Sequence, residues 1–301
     1  MVVDPYDPYP DPPLPVAKRA IRAGQRAIQR LGYEIGRPGG KYLPVGLRRR
    51  ALDALELTPG PGGGSYFVDL DRVCTFAGFG YRMEGWHPYR AALCELLESG
   101  EVRYRGSALD RYHRSFCPVT IAQLVRGPGA DAPAPLSGLP AWLVSQVWTI
   151  RAHDVARWKA VTDRGSVPEA QNNEHVGPLT ERYGTAKLRK LLRSYHSIQR
   201  TGYRPLDFES GIVEGIFLID GTSYVFIPTE GQHRLAALDA LGIRNVLVRP
   251  RPGGPTVDRG ALSPWTLARG GPYAEAVADE LFSFYKHASG DEQKRRWGLG
   301  P

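Results

Sequence analysis

Apolar positions along the chain switch between two periods, and the switches mark the elements. In "HPYRAALCELLESG" Leu93, Leu96 and Leu97 recur at helical spacing, and Gly100 closes the segment. Two shorter helices are predicted from "SALDRYHRSF" and "TIAQLVRG". The most regular stretch is "GTAKLRKLLRSYHSIQRTG", where Leu188, Leu191, Leu192, Tyr195 and Ile198 form one stripe and Gly202 follows the end. "EGIFLIDGTSYVFIP" then alternates as two strands joined through Asp220-Gly221, a dipeptide suited to tight hairpins. "GQHRLAALDALG" predicts a helix stopped by Gly242, and "NVLVRP" a short buried strand. Strand, helix and strand in that order predict a right-handed crossover, with Glu230 at the carboxyl end of the first strand. A last helix is predicted from "YAEAVADELFSFYKHA".

Proline and glycine divide these elements into blocks. Residues 1–60 read as a proline-rich arm and a basic helix, and residues 61–126 as a helical accessory region. The segment "GPGADAPAPLSGLP", 127–140, reads as a linker. Residues 141–254 form the expected core, and 255–301 a C-terminal helical tail. The fold class that follows is α+β: a mixed sheet with flanking helices in the C-terminal half and a mainly helical N-terminal region.

Composition changes this picture in three places. The chain has 301 residues and a net charge of +8, but residues 1–50 hold ten Lys/Arg against four Asp/Glu, leaving +6 there. Any attraction for nucleic acid or an anionic surface is therefore expected from residues 16–50. No apolar run approaches the ~20 residues that span a bilayer, and the acidic, proline-rich start is unlike a secretory signal. A cytoplasmic protein without a transmembrane segment is expected. Cys74, Cys94 and Cys117 are too widely spaced for a Cys-x-x-Cys metal site and read as buried free thiols, so no metal ligand set is assigned.

The candidate chemistry lies at "EGQHR". Gly231 lets the backbone approach a ligand, and the first N–H groups of the following helix favour an anion. Arg234 offers a fork for phosphate oxygens, His233 a donor or proton carrier, and Glu230 a general base or a contact to Mg²⁺. The competing reading is ordinary capping by Thr229 or Glu230, with Arg234 paired to Asp239 and His233 in the core. Before the hairpin, Asp207 and Glu209 are further candidate acids. Trp86 and His87, in "EGWHPYR", read as packing.

"LRKLLRSYHSIQRTGYRP", a hairpin, and "EGQHRLAALDALGIRNVLVRP" together resemble the core of the ParB/sulfiredoxin superfamily, over 184–250. The resemblance implies a nucleotide held at the turn by Gly231, Gln232, His233 and Arg234, with Tyr203 and Arg204 flanking it; the competing reading has Tyr203 capping the core and Arg204 solvated. Gln232 stands where sulfiredoxins carry their catalytic cysteine. The 51 residues after Pro250 are too few for the DNA-binding and dimerisation parts of partitioning ParB proteins. "EGQHR" is closer to the Asp-Gly-His-His-Arg turn of free-serine kinases and to DGQHR-type DNA-modification proteins. The whole chain also resembles uncharacterised ParB-like proteins of bacterial polysaccharide clusters. What the kinase likeness implies is phosphoryl transfer from ATP or another nucleotide, with Mg²⁺, to a small hydroxyl-bearing acceptor, Glu230 and His233 being catalytic. A non-enzymatic, nucleotide-responsive DNA-binding regulator is the alternative.

Overall fold

The Asp220-Gly221 dipeptide closes a hairpin: strand β3 (Val213–Asp220) pairs antiparallel with β4 (Ser223–Pro228), Asp220 opposite Ser223. The computed structural model describes residues 57–60, 64–130, 135–150, 175–207, 211–251, 254–267 and 271–299, with scattered positions over 52–55 and 152–159. The proline-rich arm, the basic helix of 16–31 and Glu209 lie outside the described residues.

The remaining strands are β1 (Thr58–Pro59), β2 (Tyr66–Asp69), β5 (Asn245–Pro250) and β6 (Val257–Asp258). The sheet order is β1-β2-β5-β3-β4, with β6 also pairing to β3. β5 runs parallel to the start of β3, Val213 opposite Val248, while β6 runs parallel to its end, Leu218 opposite Val257. The expected crossover from β4 to β5 is not formed. The two strands flank β3 on opposite sides, β4 antiparallel and β5 parallel to it. The reason is local: the two-residue turn commits β4 to one edge of β3 and leaves the other edge for β5.

The accessory region is more than helical, because its residues Tyr66–Asp69 add an antiparallel strand to β5. Its helices are α1 (Pro88–Ser99), α2 (Ala108–Ser115) and α3 (Ile121–Arg126). Further on come α4 (Glu181–Thr201), α5 (Gln232–Ala240), α6 (Glu275–Lys286) and α7 (Asp291–Arg296). The fold is thus α+β, with a mixed sheet and flanking helices. α5 packs against both α4 and α1, so the corner is built from the two halves of the chain together. In the segment expected as a linker, Leu136 and Leu139 are fully buried in the common core. Of the three thiols only Cys74 is buried; Cys94 is exposed and Cys117 half-buried, because Cys94 falls on the outer face of α1. Among the described residues, no helix is long and apolar enough to cross a membrane.

His87 shows how α1 is fixed. Pro88 begins the helix and His87 caps it, Nδ1 accepting from Tyr89 N at 3.2 Å while the ring stacks on Tyr81 at 4.1 Å. Burial, helped by the Arg90 charge, lowers its pKa from 6.5 to about 3, so the native ring is neutral. The unfolded ring gains a proton near pH 6.5 and the folded one does not. Stability from this site is therefore complete above that pH and lost as pH falls toward 3. Urea unfolding between pH 6.5 and 4 should show His87 contributing a slope of up to about 1.4 kcal/mol per pH unit. In His87→Asn, which keeps a capping side chain, that contribution should vanish. An unchanged slope would mean the native ring titrates normally.

Candidate functional site

β4 ends at Pro228, and the chain is turned by two contacts to β3. The N–H and hydroxyl of Thr229 both donate to the Glu214 carbonyl, at 2.8 and 3.1 Å. Thr229 is therefore directed to the sheet and not to the helix. Gly231 follows with φ +89°, a left-handed conformation that side-chain-bearing residues rarely adopt, and α5 begins at Gln232 with no side-chain cap. The capping reading of Thr229 or Glu230 is thus not what forms. Gly231, as the residue at the N-cap, has no side chain to bond the first N–H groups of α5, and a helix start of this kind favours an anion.

The side chains of the motif divide into two sets. Gln232 and His233 are each only 4 % exposed and face the packed interior. Gln232 Nε2 donates to His175 Nδ1 at 3.2 Å, and the Tyr81 hydroxyl donates to the Gln232 carbonyl at 3.2 Å. The His233 ring lies edge-on to Tyr89 of α1, centroids 5.0 Å apart. These two side chains anchor α5, so a contact with phosphate from this pair would come from backbone and not from the His233 imidazole.

Glu230 and Arg234 form the outer set. Glu230 is exposed at the mouth of the turn. Arg234 is half-buried, and its Nη1 donates to the Gly211 carbonyl at 2.7 Å, pinning the loop before β3 to α5. Burial holds its pKa below the ordinary arginine value, opposed by Tyr203 and Glu230 nearby. Gly211 itself approaches so closely that an added Cβ would lie 1.8 Å from the Pro205 carbonyl oxygen. Pro205 and Gly211 thus pack directly on each other, and the Arg234 bond ties Gly211 to α5.

Tyr203 and Arg204 lie on that loop with unequal roles. The Tyr203 hydroxyl accepts from Leu247 N at 3.2 Å and donates to Leu247 O at 3.4 Å, continuing the β5 ladder where β3 has not begun. Burial raises its pKa to about 12. Its hydroxyl therefore serves the sheet. Arg204 is exposed and pairs with Asp207 at 3.8 Å, a weak surface contact.

Two charged residues near the corner were not foreseen. Glu214 of β3 and Arg249 of β5 form a half-buried pair, Arg249 Nε to Glu214 Oε1 at 2.9 Å, beside Thr229. The available signal was one charge inside each of two otherwise apolar strands, "VEGIFLI" and "NVLVRP". Asp239, a proposed partner of Arg234, is instead held by Arg90 at 3.3 Å and Arg244 at 2.5 Å. Among the described residues, no three His, Cys, Asp or Glu converge as a metal site. Two surface depressions of about 480 and 450 Å³ flank α1 and α2, and neither includes a corner residue.

No family model, curated protein or solved structure matches the chain. The case for a site therefore stands on its geometry: an uncapped helix start, a left-handed glycine, a half-buried guanidinium and an exposed carboxylate.

Proposed function

We propose that the corner is a nucleotide-phosphate site of the ParB/sulfiredoxin type, and that the protein transfers a phosphoryl group from ATP or a similar donor to a small hydroxyl-bearing acceptor. The observation that carries this reading is the start of α5, which has a glycine and no capping side chain where a helix of this kind ordinarily takes Ser, Thr, Asp or Asn. The backbone at Gly231 and Gln232 cradles phosphate oxygens, and Arg234 balances their charge from one side. The exposed Glu230 accepts the proton of the attacking hydroxyl. Catalysis is then positioning and electrostatics, the usual division of labour in phosphoryl transfer. The donor set suits Mg²⁺ arriving with the nucleotide, because that ion needs only one or two carboxylates beside phosphate oxygens. Glu230 would be its protein contact, and the bound ion would neutralise phosphate charge.

Melting of the full chain with ATP, ADP, CTP or GTP and Mg²⁺ tests the site. A nucleotide at about a hundred times its Kd should stabilise by ~2.7 kcal/mol, and Arg234→Ala should abolish that increment whatever its own starting stability. Absence of a shift with all four nucleotides would reduce the corner to a structural junction.

A further inference from the structure

A second anionic partner is indicated on the far side of α4, by residues the proposed reaction does not use. Arg182, Arg189, Arg193, His196 and Arg200 are separated by seven, four, three and four positions, so all five fall along one line of the helix. Arg182, Arg189, His196 and Arg200 are exposed, with Arg193 half-buried between them. The opposite face, Gly184, Leu188, Leu191, Tyr195 and Ile198, is buried in the core. At ~1.5 Å per residue the line is about 27 Å long. The only acid in the helix, Glu181, lies off the line and pairs with Arg105 at 3.4 Å.

A solvated helix usually interleaves both signs of charge, so that neighbours three and four apart attract. Here the exposed Arg182, Arg189 and Arg200 carry one sign with no carboxylate of the helix between them, and they repel one another. Such an arrangement is relieved by a partner with matching negative charge. We infer that the exposed face of α4 binds the phosphate backbone of nucleic acid. Three features favour that partner over an anionic membrane. The charges form a line and not a patch, matching a linear polyanion. Most are guanidinium groups, which pair bidentately with phosphate. The apolar face that a membrane-lying helix inserts into lipid is already covered by this protein's own core. Contacts of this kind position a duplex without reading it, so binding should be independent of sequence. The inference does not depend on the phosphoryl-transfer reading, since no corner residue takes part.

The test is fluorescence anisotropy of the full chain with a labelled duplex of about 20 base pairs, titrated across roughly 50 to 200 mM salt. The Arg189→Ala/Arg200→Ala double variant is compared with Arg103→Ala/Arg295→Ala, which removes two exposed arginines elsewhere and has the same net charge. The first pair should flatten the slope of log K against log salt by roughly 1.8, and should weaken low-salt binding at least tenfold. The control pair should leave both close to wild type. Failure of the wild type to bind the duplex would overturn the proposal. So would equal losses in both variants, or unchanged binding in the first. Sedimentation with phosphatidylserine-containing vesicles completes the comparison: vesicle binding that needs Arg189 and Arg200, without duplex binding, would assign the face to a membrane instead.

Discussion

Glu230→Gln should lower nucleotide-dependent transfer by about a hundredfold or more while nucleotide affinity changes by less than about threefold. The amide keeps the shape of the side chain and removes its ability to take a proton. Because Glu230 is exposed, the change should alter stability by no more than about 0.5 kcal/mol, so lost turnover cannot be blamed on unfolding. The amide oxygen still reaches a phosphate-bound Mg²⁺, and the loss of one negative charge beside the phosphate offsets the weaker contact. The measurement is steady-state nucleotide consumption with a panel of small hydroxyl-bearing acceptors, alongside the melting shift with the same nucleotide. Turnover that survives the substitution would remove Glu230 from the chemistry and leave the corner as a binding site alone.

The second large effect concerns stability. Arg244→Met should cost about 3 kcal/mol, because it strips a buried carboxylate of its closest cation. The Asp239 side chain is only 2 % exposed and lies between Arg244 and Arg90, while Arg244 also reaches Asp71 and donates to the Tyr81 carbonyl at 2.8 Å. Burial already raises the Asp239 pKa more than the two arginines lower it. A raised carboxylate pKa means the native state holds its proton more firmly than the unfolded state. The contribution is favourable at low pH and is lost as pH rises through the native pKa. Without Arg244 that pKa rises further, so the deficit of Arg244→Met should be larger at pH 7 than at pH 4. Chemical denaturation at the two pH values checks this. An equal deficit at both would mean that Arg244 acts by packing and not by charge.

Much of the fold could be read from short-range pattern. α1, α4 and α5 follow from helical spacing closed by Gly100, Gly202 and Gly242, α6 from its spacing alone, and the β3–β4 hairpin from Asp220-Gly221. These signals are local, so no tertiary knowledge is needed to find them. Strand order was not legible, since nothing in "NVLVRP" says which neighbour it will choose. Strand β2 escaped notice because four residues after a glycine-rich run carry too little alternation to register. At the corner, the turn and the helix start were foreseen, and the competing reading placed His233 in the core as the structure does; the pattern could not choose between the two readings. Gln232 and His233 look polar enough to serve a ligand; their partners His175, Tyr81 and Tyr89 come from distant parts of the chain and turn them inward. Tyr203 stayed open between core and ligand for the same reason, as its partner Leu247 is 44 residues away.

The pairing of Tyr66–Asp69 with β5 has a practical consequence for anyone dividing this chain. A fragment beginning after residue 130 would keep the Glu230–Arg234 turn but lose Tyr81 and Tyr89 behind it, and it would carry β5 as an open, apolar border whose Val246 and Val248 had lost their cover. Unprotected borders of that kind recruit other strands. The N-terminal half therefore shields the sheet border of the C-terminal half from pairing with other copies of the chain.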